Sequence, residues 1–149
     1  MAKSFGSLVF TPVVKALQER YRSRWQYARM EQLGEAAGGL GPDEKEYLSE
    51  TDTFYMARLG ETGWPYVQHR GGPKGFLKVI DNNAPAFADF RGNKQYISTA
   101  NLMADNRVAL ILVDYRRQLR LKILGRVEIF EGKRRRTGSL EFAIQTTRL

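Results

Sequence analysis

Cations recur through the middle of this chain: Arg70, Lys74, Lys78, Arg91, Lys94 and Arg120 all stand near the ends of short apolar runs. Such a set suits a phosphate group better than a catalytic proton. A phosphate needs several charged or N–H donors converging on one point, and charge-assisted hydrogen bonds are the strong ones. Two clusters lead. Lys78 follows the loop Gly71-Gly72-Pro73-Lys74-Gly75. Asn93-Lys94-Gln95 opens a stretch that reads as a helix, where free N–H groups and the helix dipole favour an anion. One hairpin separates the clusters, so they can meet in space. The ordinary alternative is that all are solvated surface cations, and spacing alone leaves both open.

Other chemistry is narrowed by what the chain lacks. It has no cysteine, which excludes disulfides, thiol catalysis and Cys-ligated zinc. His69 is its one histidine, so a multi-histidine metal centre is excluded, and a lone histidine is more often structural than a general base. The glycine loop lacks the spacing and trailing Lys-Ser/Thr of a phosphate-binding P-loop. It is either a turn whose glycines permit positive φ or a loop that lets backbone approach a planar ring. Among the aromatics, Trp64 and Tyr66 are candidates to border such a ring, and most others read as core. The run Lys133-Arg134-Arg135-Arg136 reads as a solvated turn.

The elements that must position these residues follow from periodicity. Thr11-Pro12 reads as an N-cap and first helical residue, and apolar residues at three-to-four spacing predict one long amphipathic helix to about Leu33. Residues 34–41 break it, and Pro42-Asp43 begins a second helix through Leu48 with acidic residues in its first turn. Strands are expected over 53–59, 64–69, 76–80 and 86–90, then a helix from Gly92-Asn93 to about Ala104. Long strands over 107–113 and 119–130 follow, and a weak one near 140–144. The last long strand alternates Leu119, Leu121, Ile123, Val127 and Ile129 with Arg120, Lys122, Arg126 and Glu128, one face buried and one not. The order predicts a mainly β (α+β) antiparallel barrel of about six strands with N-terminal helices and one inserted helix. We divide it into a helical extension, 1–50, and a barrel, 51–149.

At 149 residues the chain is long enough to bury a core unaided. Its longest apolar run, Val108 to Val113, is far too short to span a bilayer, and the N-terminus has no signal-peptide core, so a soluble cytoplasmic protein is expected. The formal charge of +8 serves a phosphorylated cofactor as well as a nucleic acid.

The stretch Gly75-Phe-Leu-Lys78-Val-Ile-Asp81, then Ala86 to Phe90, Gly92-Asn-Lys-Gln95 and Asn106 to Leu112, resembles the FMN-binding core of pyridoxamine 5'-phosphate oxidase-like split barrels. It is especially similar to a bacterial subgroup carrying GGPPGF and GNRQYIS-type motifs, over nearly all of 50–131. The resemblance implies a split β-barrel that binds FMN non-covalently at a homodimer interface. It would pass electrons or hydride to an unnamed small-molecule substrate, with NAD(P)H a candidate donor. By position, Lys78 and Lys94 would contact the phosphate, and Asn93 and Gln95 would belong to the same motif. Val79 would face the isoalloxazine through its backbone, and Asp89 would hold the phosphate-side strand end. Arg120 would reach the flavin, with Arg70 as an extra contact. The Arg-rich phosphate motif and C-terminal Trp and Arg segment of the true oxidases are missing, so the resemblance does not extend to oxidation of pyridoxamine phosphate. No catalytic residue is named. The rival readings are a non-catalytic flavin binder and a basic nucleic-acid-binding barrel.

Overall fold

The structure is a computed structural model and describes residues 4–36, 39–81, 84–89, 97–131 and 140–146. Thr11 caps as expected, its Oγ1 accepting the Val14 N–H at 3.4 Å. The single long helix does not form. A short α1 (Phe5–Val9) precedes α2 (Pro12–Arg20), and α3 (Arg24–Ala36) follows a break. The break is a Schellman turn: Arg22 sits at φ 58°, its N–H bonds the Glu19 carbonyl at 3.0 Å and the Ser23 N–H bonds the Gln18 carbonyl at 2.8 Å. Glycine usually takes that left-handed position. An arginine there is invisible to a reading that looks for glycine.

Polar contacts hold α2 and α3 together. Glu31 on α3 accepts from Lys15 Nζ on α2 at 2.8 Å and from Arg24 Nη2 at 2.6 Å, and Arg24 Nη1 also donates to Gln18 Oε1 at 3.1 Å. These bonds hold the Glu31 carboxyl below its ordinary pKa, the Lys15 bond first and the Arg24 bond next. Helix α4 (Pro42–Glu50) runs two residues past its expected end and packs on β3, with Leu48 wholly buried.

Seven antiparallel strands form one sheet in the order β2-β1-β5-β6-β7-β4-β3. They are β1 (Thr53–Leu59), β2 (Pro65–Gly71), β3 (Lys78–Asp81), β4 (Ala84–Asp89), β5 (Arg107–Asp114), β6 (Leu119–Glu131) and β7 (Leu140–Thr146). The seventh is the weak strand expected near 140–144, now a full ladder partner of β4 and β6. Helix α5 (Ile97–Ala104) precedes β5; its expected opening at Gly92-Asn93 lies outside the described residues. The 13-residue β6 splits its partners, pairing β5 over its first part and β7 over its last. That handover lets the sheet curl on itself, so that Phe54 of β1 meets Phe87 of β4 edge-on at 5.1 Å and stacks on Phe76 at 5.7 Å. The interior is Phe54, Met56, Leu77, Phe87, Val108, Leu110, Leu112, Ile123 and Ile144, all buried. Among the described residues, no helix is long and apolar enough to cross a membrane.

Candidate functional site

The glycine loop is shaped first by the chain's own backbone. Gly72 N–H bonds the Asp52 carbonyl at 2.9 Å and Gly75 N–H bonds the Thr51 carbonyl at 3.0 Å. Gly75 adopts φ 72°, and a Cβ there would stand 2.9 Å from the Ser49 carbonyl oxygen. The loop is thus fastened to the α4–β1 joint, and glycine is required because that joint passes so close. The fastening presents Lys74 outward and places the Lys78 ammonium beside Gly75.

Next to the loop, the outer faces of β3 and β4 form a shelf of about 490 Å³. Register sets its floor. Lys78 pairs with Ala86 and Val79 with Pro85, then a bulge before Asp81 leaves Ile80 outward. Ala86, Ala88 and Ile80 make a low apolar floor, Phe76 and Pro73 a wall, and Lys74 and Lys78 a cationic rim. Neither lysine has an ion pair among the described residues. Among the described strands β3 lies at the edge of the sheet, with β4 its one partner. Small floor residues, an open strand edge and unneutralised cations at one end suit a flat heteroaromatic ring bearing an anionic tail.

A second cleft, of about 410 Å³, lies across Lys74 between α4 and the β5–β6 turn. The charge of Arg117, one of its two arginines, is already committed. Arg117 Nε donates to Asp114 at 2.7 Å and Nη2 bonds Glu50, and the Asp114 carboxyl is held low by the Arg117 backbone and side-chain bonds. Tyr47 on its wall is pushed above its usual pKa by burial and then by Asp114.

The remaining candidates fall elsewhere. Lys78 and Val79 stand at the shelf; Val79 turns its side chain toward the core, leaving its backbone at the edge. Asn93, Lys94 and Gln95, the second phosphate cluster, lie outside the described residues. Asp89 ends β4 opposite Leu140, three residues beyond Ala86, and its side chain is not among those described. Arg70 faces the barrel interior from β2, its guanidinium 5.8 Å from the centre of the Phe87 ring. Arg120 is not among the residues lining the shelf; it pairs with Val113, which lines the second cleft together with Lys74. Trp64 sits at the β1–β2 tip, a strand length from the glycine loop, and Tyr66 lies under the Arg58 guanidinium at 4.9 Å. His69 bonds Thr53 Oγ1 on the outer face and meets Tyr55 edge-on at 5.4 Å, a structural role.

The sequence reading missed Arg58. It stands on the buried face of β1, 4% exposed, and burial, then neighbouring Arg70, pull its pKa down. The signal was present: in Thr53–Leu59 alternate residues face inward, and Arg58 takes an inward place beside Phe54 and Met56.

The sequence profile of pyridoxamine 5'-phosphate oxidase matches residues 40–141, more than half of the chain. The chain belongs to the pyridoxamine 5'-phosphate oxidase family. Known structures share its fold at low identity. HupZ of Group A Streptococcus is 17% identical, with a TM-score of 0.54, covering 72% of this chain and 90% of that one. A protein of Clostridium acetobutylicum related to general stress protein 26, described as of the pyridoxinephosphate oxidase family, is 14% identical, TM-score 0.55, covering 70% and 81%. An F420 reductase is 16% identical, TM-score 0.54, covering 72% and 96%. No curated protein matches the chain significantly in sequence. Family membership and the split-barrel fold expected from the motifs both hold.

Proposed function

We propose that this family member is an FMN-binding oxidoreductase that works as a cytoplasmic homodimer. The observation that carries the reading is the shelf beside Gly75: a low alanine floor on β4, next to the edge strand β3, with two lysines at its rim that have no ion pair among the described residues. Lys78 and Lys74 would hold the ribityl phosphate end together with Lys94, and the open edge of β3 at Val79 would meet the ring's polar rim. The flavin, when bound, supplies acceptance and onward transfer of a hydride or of electrons. The protein's part is to bind, orient and screen the ring.

The dimer reading rests on the sheet's outer face. Tyr55, Ala57, Ala109, Ile111, Val113 and Leu124 alternate with core residues and point outward across β1, β5 and β6, an apolar surface on an antiparallel sheet whose other face is already the core. A second copy seated there would cover it.

A second reading is supported by the same shelf. Among its described residues the only side chains that titrate are Lys74 and Lys78, with no carboxylate or imidazole to move a proton. A flavin-binding protein without turnover would look the same.

The test begins with the purified protein: yellow colour, and FMN identified by mass after heat release. Lys78→Ala with Lys94→Ala should lose the cofactor, the affinity falling about 30-fold or more for ~2 kcal/mol of charged hydrogen bonding, while the fold survives. Unchanged FMN affinity in that pair would refute the phosphate site. NAD(P)H oxidation with an electron acceptor separates enzyme from binder.

A further inference from the structure

Helices α2 and α3 are amphipathic in the reverse sense from helices that serve their own chain's core. Lys15 and Gln18 of α2 meet Arg24 and Glu31 of α3 on the inner side. The apolar stripes point away: Val13, Leu17 and Tyr21 on α2, and Trp25, Met30 and Leu33 on α3, exposed by 71, 47, 71, 70, 49 and 64%. Isolated exposed apolar side chains are normal. Six at helical spacing on two adjoining helices form a patch, and a patch of that kind marks an interface. Nor does the sheet of the same chain cover it, since substantial helix–sheet packing runs through α4 on β3 and α5 on β1, while α1 and α2 pack on α3.

The chain itself carries a matching surface. On the outward face of β1 and β2, Leu59 and Val67 are exposed by 42 and 60%, and Trp64 at the hairpin tip by 77%. The cross-strand pair Ala57–Val67 makes this patch continuous with the outer face of β1, β5 and β6. Two apolar faces left open on one chain, one beside the surface assigned to the dimer, satisfy each other when two copies exchange them about a two-fold axis. We infer that each chain's α2–α3 arm lies across the outward face of β1 and β2 of a second copy, with Trp25 and Leu17 as its anchors. The inference rests on the homodimer reading above.

The experiment uses the full chain carrying Trp64→Phe, which leaves Trp25 as the sole tryptophan and keeps an aromatic ring at the hairpin tip. Acrylamide quenching of Trp25 is followed as protein concentration rises through dimerisation, with mass measured by light scattering and fold by circular dichroism. Quenching should weaken several-fold in the dimer. Leu17→Asp with Met30→Asp on the arm, or separately Val67→Asp on the acceptor, should return it to the dilute value. A dimer whose Trp25 quenches as freely as in the dilute chain would overturn the arm placement alone. A monomer at every concentration would overturn both readings. Shielding that appears only on adding vesicles of anionic phospholipid would assign the stripe to a lipid surface and overturn the proposal.

Discussion

In the sheet, Phe54, Met56, Leu112 and Ile123 are wholly buried, and apart from Arg58 and the inward-facing Arg70 the buried positions described are apolar. In α2 and α3 the arrangement is inverted, with the ion-paired Glu31 facing inward and Trp25, Tyr21 and Val13 facing solvent. The sheet can therefore drive its own folding by apolar burial. The arm's fold is held by a few charge-assisted bonds of small net worth, so its apolar side chains contribute only where something else covers them.

The largest effect should come from the buried side. Phe54→Ala removes a ring that packs on both Phe76 and Phe87, and should cost about 3–5 kcal/mol in urea unfolding. Trp25→Ala, measured on the dilute chain, should stay within about 0.5 kcal/mol, as for a surface change. Equal costs would break the contrast between the two regions. Ala88→Leu, on the shelf floor, should leave the melting temperature nearly unmoved while filling the space a ring would use. Flavin affinity should fall about 10- to 100-fold for a clash of ~1–3 kcal/mol, read by fluorescence titration. Gly75→Ala should cost about 1–2 kcal/mol, because its φ of 72° and the Ser49 carbonyl both oppose a Cβ. That loss would appear in the barrel's unfolding and leave the arm untouched.

The smallest effect is one of pH and belongs to the arm. Glu31 has a folded pKa below its unfolded one, so its stabilisation is complete above the ordinary carboxylate range and is lost as pH falls through the lowered value. Amide exchange in α2 and α3 should therefore quicken relative to the barrel on acidification. Glu31→Gln should remove that pH dependence. A barrel that loosens in parallel with the arm would show that the two regions are coupled.

Much of the barrel was legible because period-two alternation is a local signal: Thr53–Leu59 was read to the residue, and the strand from 119 on nearly so. The strand at 140–146 read as weak because its support is its pairing with β4 and β6, which are distant in sequence. The helix break at Tyr21-Arg22-Ser23 was hidden because an arginine occupies the left-handed position. Amphipathic spacing revealed that the arm has two faces but not which one turns inward. Of the site, Lys78 and the glycine loop were legible from their types. The small floor of Ala86 and Ala88 was not, because only pairing with β3 places those alanines beside Lys78.

Residue order alone determined the family, the run of strands and the cations available for a phosphate, since these depend on local pattern and motif. Tertiary structure decided which of them are neighbours. Lys78 and Lys74 share one shelf, while Arg120 pairs with Val113 at the second cleft. That follows from strand register, which is set by pairings between residues far apart in sequence and by the curl that closes Phe54 onto Phe87.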